Sequence, residues 1–350
     1  MIHRLPSSLW PTVHLLATGQ DWPPRSAASA ECLYEACLNH GLLPLLFAAR
    51  GLPAPLSGFL QSRRAVARVL DAQSDRLARA AEAVAATLGR EPFVFLKGTD
   101  YGRRLYGDPR LRPMQDIDVL VPIERYSAAC RLLEERGLQT VFPGTPATRD
   151  WSYYQRAFRD GDVIVEVHQT FLQSPRHRVD YRGLWERIER EPETGRLRLA
   201  DVDALAYHAV NLGADLLGRR LVRYVDLWML VHLRPGIVVE AAARARAWRA
   251  ARAFYGMLRQ GCRLFPEMET DETREAMTGV LPSWERRLVD RWLLPREDEW
   301  RPEGVPRRLV QVIRKFALMD NLRRRTSFLA FHVRADLRGR WLRTSARPSA

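Results

Sequence analysis

The run Gln115-Asp-Ile-Asp-Val-Leu-Val121 constrains this chain more than any other stretch. It has the length and apolarity of a buried strand, yet it carries two acids, Asp116 and Asp118, one residue apart. Side chains at i and i+2 of a strand point to the same face. Asp116 and Asp118 are therefore expected to project together, with Ile117 and Val119 facing a core. Two adjacent carboxylates repel unless something positive sits between them. A hard divalent cation, Mg²⁺ or Mn²⁺, meets that need. The competing reading is a pair of solvated residues at a strand end.

A third acid shifts the balance. Asp162-Val-Ile-Val-Glu-Val-His168 reads as another apolar strand with Glu166 in its middle. An ionisable group there is costly unless paired or metal-bound. Glu166 and His168 share a face, and Val163, Val165 and Val167 take the opposite one. His168 could orient Glu166, touch a phosphate, act as a base, or be a half-buried, hydrogen-bonded histidine. Upstream, Phe93-Val-Phe-Leu96 reads as a first core strand ending in Lys97-Gly98-Thr99. A short helix starting at Gly98 would offer backbone amides to a phosphate. Arg112 arrives beside Asp116 on a turn-rich loop, either as a phosphate ligand or as a neutralising partner for the acids.

Leu96-Lys-Gly98, Tyr106-Gly-Asp-Pro109, Arg112, Asp116-Ile-Asp-Val-Leu-Val121 and Glu166-Val-His168 together resemble the family described as uncharacterised nucleotidyltransferases, with the polymerase-beta-type fold. The resemblance covers roughly the first two-thirds of the chain. It implies an α+β protein: a small mixed-sheet core flanked by N-terminal and C-terminal α-helical regions. It implies that Asp116, Asp118 and Glu166 are catalytic and bind the metal. Lys97, Gly98, Thr99, Arg112 and His168 would hold a nucleoside triphosphate such as ATP. This sequence departs from the usual Gly-Ser or Gly-Gly pair, having Gly98-Thr99 after Lys97 and a longer loop to the first acid. The resemblance also implies that His208 and Asp226 hydrogen-bond across two helices.

The formal charge is +14. Only two of the basic residues, Lys97 and Lys315, are lysines. A lysine in a chain that otherwise writes arginine suggests a need for a compact ammonium rather than a planar fork. A solvated strand-end lysine is the alternative. Cys32, Cys37, Cys130 and Cys262 show no metal-ligand spacing and read as reduced and mostly buried. No apolar run approaches the ~20 residues of a membrane span, and the first residues lack a signal-peptide pattern. A cytoplasmic location is the expectation.

The organisation expected is an N-terminal helical region (1–90), the nucleotidyltransferase-like core (91–192), a C-terminal helical domain (193–335) and a basic tail (336–350). One long amphipathic helix is expected over 57–89, ended by Gly89, with Val66, Val69, Leu70, Leu77, Val84 and Leu88 near its apolar stripe. Asp160-Gly161 predicts a hairpin. Arg223 and Asp226, three apart on a helix, can pair. Trp284, Trp292 and Trp300 read as packing or exposed anchors, and Arg323-Arg-Arg325 as a solvated charge run.

The leading function is metal-dependent transfer of a nucleotidyl group from a nucleoside triphosphate to an acceptor: a small molecule, peptide, glycan precursor or protein. Two alternatives stand beside it. One is a terminal transferase acting on RNA or DNA, disfavoured because no aromatic-studded basic groove is evident. The other is a non-catalytic scaffold or regulator that keeps the fold.

Overall fold

The computed structural model describes residues 30–89, 91–141, 155–172, 177–217, 220–294 and 316–320. Trp300, Arg323–Arg325, the tail from Arg334, the loop at 143–150 and the first 29 residues lie outside them.

Four helices open the described chain: α1 (Ala30–His40), α2 (Leu43–Ala48), α3 (Ala54–Ser62) and α4 (Arg64–Leu88). Gly41 and Gly89 adopt positive φ where α1 and α4 stop, which an L side chain resists. The single helix expected over 57–89 is two, broken at Arg63. Val69, expected near the apolar stripe, is 65% exposed, because at about 100° per residue it stands roughly 80° round α4 from Leu77. The stripe that remains, Leu77, Ala81, Val84 and Leu88, is buried.

Next come β1 (Val94–Phe95), α5 (Lys97–Arg104), β2 (Ile117–Leu120), α6 (Tyr126–Glu135), β3 (Gln139–Thr140), β4 (Gln155–Asp160) and β5 (Val163–His168). They form one mixed sheet in the order β1-β2-β5-β4-β3. β2 and β5 run parallel, and the other neighbours are antiparallel. The hairpin is present, but Asp160 pairs with Val163, so the two-residue loop is Gly161-Asp162. Gly161 supplies the positive φ.

The C-terminal part is helical after α7 (Tyr181–Glu186) and a small β6 (Glu189–Arg190), β7 (Leu197–Arg198) ribbon. It comprises α8 (Asp201–Ala214), α9 (Val222–Val231), α10 (Ile237–Ala247), α11 (Ala251–Leu264), α12 (Asp271–Val280) and α13 (Ser283–Leu288). Cys37, Cys130 and Cys262 are buried and Cys32 is exposed. Trp284 and Trp292 are exposed. No helix of the described residues is long and apolar enough to cross a membrane.

The sheet's two faces belong to two cores. Ile117, Val119, Val163, Val165 and Val167 pack with Leu77, Val84 and Leu88 of α4 and Ala129, Cys130 and Leu133 of α6. Val94, Leu96 and Leu120 join the larger core of α1–α3 and α8–α11. Strand alternation thus sends the polar residues of β2 and β5 toward the helical body, away from α4 and α6.

Candidate active site

Asp118 and Glu166 are direct register partners across the parallel β2–β5 pair, as are Leu120 and His168. A two-residue pleat period puts Asp118, Glu166 and His168 on one face. The register holds because any one-residue slip would drive Val165 and Val167, both fully buried, out of their core.

His168 Nε2 lies 2.9 Å from Asp118 Oδ1 and 3.4 Å from Glu166 Oε2. Lys97 Nζ donates to the same Asp118 Oδ1 at 2.9 Å. Lys97 reaches it because the Leu96 N–H donates to the Asp118 carbonyl, extending β1 along β2. Immediately after, Lys97 takes a left-handed φ of 50° and opens α5. This is a strained conformation for a residue with a Cβ.

Asp118 is buried, and burial alone would raise its pKa. The Lys97 ammonium and the hydrogen bond from His168 reverse this and hold it well below the usual carboxylate range. Burial lowers the pKa of Lys97, but Asp118, Asp116 and Glu166 more than offset it, and the ammonium is retained. Burial likewise depresses His168, and hydrogen bonds to Asp118 and Glu166 carry it above its ordinary value. Asp116 lies just before β2, not within it. Burial and the Asp118 charge push it up to about 6.

One ligand atom each from Asp118, Glu166 and His168 lie within 4.8 Å of one another. The carboxylate oxygens suit Mg²⁺ or Mn²⁺, and the imidazole is a competent nitrogen ligand. This donor set fits a divalent cation. Asp116 is not a member of the compact group, and His168 takes the third place. A cation binding here would compete with Lys97 for Asp118.

The structure gives the other expected residues different partners. Thr99 is buried, and its hydroxyl donates to Met114 Sδ at 3.5 Å. A Cβ on Gly98 would stand 2.5 Å from Met114 Cγ and 3.0 Å from Arg112 Nη1, so close packing demands this glycine. Arg112 does not neutralise the acid pair. Its Nε and Nη2 donate to Asp226 Oδ1 and Oδ2 at 3.2 and 2.7 Å, and Nη1 donates to the Pro113 carbonyl. Tyr106 also donates to Asp226 Oδ1, at 2.8 Å. Asp226 is fully buried on α9. The expected Arg223–Asp226 pair is absent because Asp226 is turned inward to Arg112, and Arg223 pairs with Asp215. His208 does not bond to Asp226 either. Its Nε2 donates to the Arg223 carbonyl at 2.8 Å, from the middle of α8.

Sequence reasoning missed Tyr207. It is 1% exposed on α8, its ring stacks 4.5 Å from Phe171, three residues past His168, and its hydroxyl has no hydrogen-bond partner among the described residues. Burial, then the Asp118 carboxylate, push its phenol well above the ordinary range, so it is a neutral donor. A buried unsatisfied hydroxyl is costly, and natural proteins keep few. The available signal was its place beside His208 within the apolar stretch Ala204–Val210 of α8, which points to packing as readily as to chemistry.

The class the structure defines is an α+β protein whose mixed sheet presents acids from two parallel strands beside the half-buried ammonium of Lys97. The model of the family described as Uncharacterised nucleotidyltransferase matches residues 26–266, and the chain belongs to that family. A comparison with curated proteins finds no match.

Proposed function

We propose that this protein transfers a nucleotidyl group from a nucleoside triphosphate to a hydroxyl- or amine-bearing acceptor with the help of a divalent cation. Family membership supports nucleotidyl transfer. The observation that carries the rest is the register pairing of Asp118 with Glu166 beside His168.

Asp118 and Glu166 would hold the cation, with Asp116 adding charge at its edge. Such an ion neutralises triphosphate charge and stabilises the attacking and leaving oxygens of an in-line displacement. The acceptor oxygen or nitrogen attacks the α-phosphorus, the bond to the β-phosphate oxygen breaks, and pyrophosphate leaves. Glu166, 24% exposed in its side chain, would receive the acceptor's proton. Lys97, released from Asp118, would turn its ammonium to the phosphates, and the first amides of α5 would point the same way. Tyr207 would donate its unused O–H to a phosphate oxygen. Gly98, Thr99 and Arg112 would act behind them by holding α5 and the Asp116 loop in place.

The test is mass spectrometry of candidate acceptors after incubation with ATP, GTP, CTP or UTP and Mg²⁺ or Mn²⁺. Added nucleotidyl mass, lost in Asp116→Ala/Asp118→Ala, is the expected result; activity persisting in that variant places the chemistry elsewhere. One observation favours a second reading, the non-catalytic scaffold: Lys97 already neutralises Asp118 without a cation. Calorimetry with the four nucleotides separates the two readings, because a scaffold that has lost this chemistry binds none of them.

A further inference from the structure

A cleft of about 980 Å³ that shares no lining residue with the Asp118 group opens where the approach to α7 meets the end of α10, the α12–α13 turn and Asp320. This is at the upper end of the sizes that hold small molecules. Three arginines line it, Arg178, Arg246 and Arg249, against three acids, Asp180, Glu285 and Asp320.

The two sets are not equivalent. All three acids are already engaged. Asp180 accepts from the Gly183 N–H at the start of α7. Glu285 accepts from Arg252 Nε at 2.6 Å. Asp320 accepts from the Ala251 and Arg252 N–H groups that open α11. Among the arginines, Arg246 donates to the Gly279 carbonyl. The guanidinium groups of Arg178 and Arg249 have no partner among the described residues. Among the described residues two guanidinium groups of the lining are thus left for a ligand to pair, while Asp180 and Asp320, held by neutral backbone N–H groups, keep their negative charge at the rim.

The backbone at Arg249 fixes where its side chain begins. α10 ends in a Schellman turn: the Ala250 N–H returns to the Ala245 carbonyl and the Arg249 N–H to the Arg246 carbonyl. The residue between them must be left-handed, a place where glycine is the unstrained choice. Here it is arginine, at φ 56°. The helix end accounts for this φ, as it does for Leu216 after α8, and it fixes the backbone from which the exposed Arg249 fork reaches the cleft.

We propose that this cleft binds an anionic small molecule, one bearing a phosphate or carboxylate group, through the forks of Arg249 and Arg178 with Arg246 at its edge. This site does not depend on the nucleotidyl-transfer reading, and the acids around Asp118 take no part in it.

The test is calorimetry on the full chain in metal-free buffer at two salt concentrations, with inorganic pyrophosphate as the phosphate probe and citrate as the carboxylate probe. Expected is one saturable site for at least one probe, and which probe binds names the chemistry. Affinity should fall at least tenfold in Arg249→Gly and in Arg178→Ala, and stay within twofold in Arg182→Ala. Arg182 is the surface control, exposed on α7 and paired with Glu186. Unliganded Arg249→Gly should melt at or above the wild-type temperature, because glycine relieves the left-handed strain. Three results overturn the proposal. One is no saturable binding of either probe. A second is loss as large in Arg182→Ala, or Arg249→Gly unaffected. The third is a clear drop in the melting temperature of Arg249→Gly, which would make Arg249 a structural residue.

Discussion

Asp118 of β2 and Glu166 of β5 stand opposite each other in a parallel strand pair, with His168 Nε2 within 3.4 Å of both carboxylates. Placed so, they bind a cation together or not at all. Mg²⁺ or Mn²⁺ should raise the melting temperature of the wild type, an effect of about 2–3 kcal/mol near 100 times the dissociation constant. Asp118→Ala and Glu166→Ala should each abolish that rise. A metal-induced shift unchanged in both variants, followed by scanning fluorimetry, would place the cation elsewhere.

Tyr207 offers a contrast between stability and activity. Removing a buried hydroxyl that bonds to nothing is neutral or stabilising. Tyr207→Phe should therefore keep or slightly raise the urea midpoint while lowering transfer by roughly 10–100-fold, the range for one lost donor. A variant with full activity would confine Tyr207 to packing.

Arg112 and Asp226 tie the loop carrying Asp116 to α9. Breaking a buried pair strands a charge, costing about 3–5 kcal/mol, whereas replacing both partners with apolar residues is far cheaper. Asp226→Ala should unfold at much lower denaturant than Arg112→Met/Asp226→Leu. If the double variant is the worse of the two, the bridge has another function.

At Gly98 the obstacle is Met114. Gly98→Ala should cost about 1–3 kcal/mol by overpacking. The cost should shrink in a Met114→Ala background, where the space is open. A double-mutant cycle from urea unfolding reads the coupling directly; strict additivity would mean that the strain lies elsewhere.

His208 is buried and its pKa falls to about 4, first from burial. His40, also buried, falls to about 4 for the same reason, with Arg220 adding to it. An unfolded histidine titrates near 6.5. Between pH 6.5 and 4 the unfolded chain binds more protons, so stability falls as pH falls through this window and the loss levels off below about pH 4. Each histidine contributes up to about 3 kcal/mol to that loss. His208→Gln should flatten the difference in unfolding free energy between pH 7 and 4.5. An unchanged slope would show that the ring is protonated in the folded state.

Much of the core was legible before any coordinates. Alternation in Ile117–Leu120 and Val163–His168 tells which residues face a core, because a strand has only two sides. Gly41, Gly89 and Gly161 mark ends and a turn for the same backbone reason. Arg63 was not legible as a helix break, since nothing in its side chain forbids a helix. Arg112's partner was not legible either. Asp226 lies 114 positions away, and local spacing favoured Arg223.

By itself, the sequence determined that Asp118 and Glu166 would lie on two strands with apolar residues alternating beside them, and Asp116 at the entry to the first, because side-chain periodicity is a local property of extended backbone. Only the tertiary structure decided that β2 and β5 pair in parallel with Asp118 against Glu166, that His168 joins the compact group where Asp116 does not, and that Tyr207 packs from a helix against Phe171 just past His168. Those outcomes depend on strand register and on helices packing across the sheet. Both are set by burying two cores at once, a condition that no short stretch of chain contains.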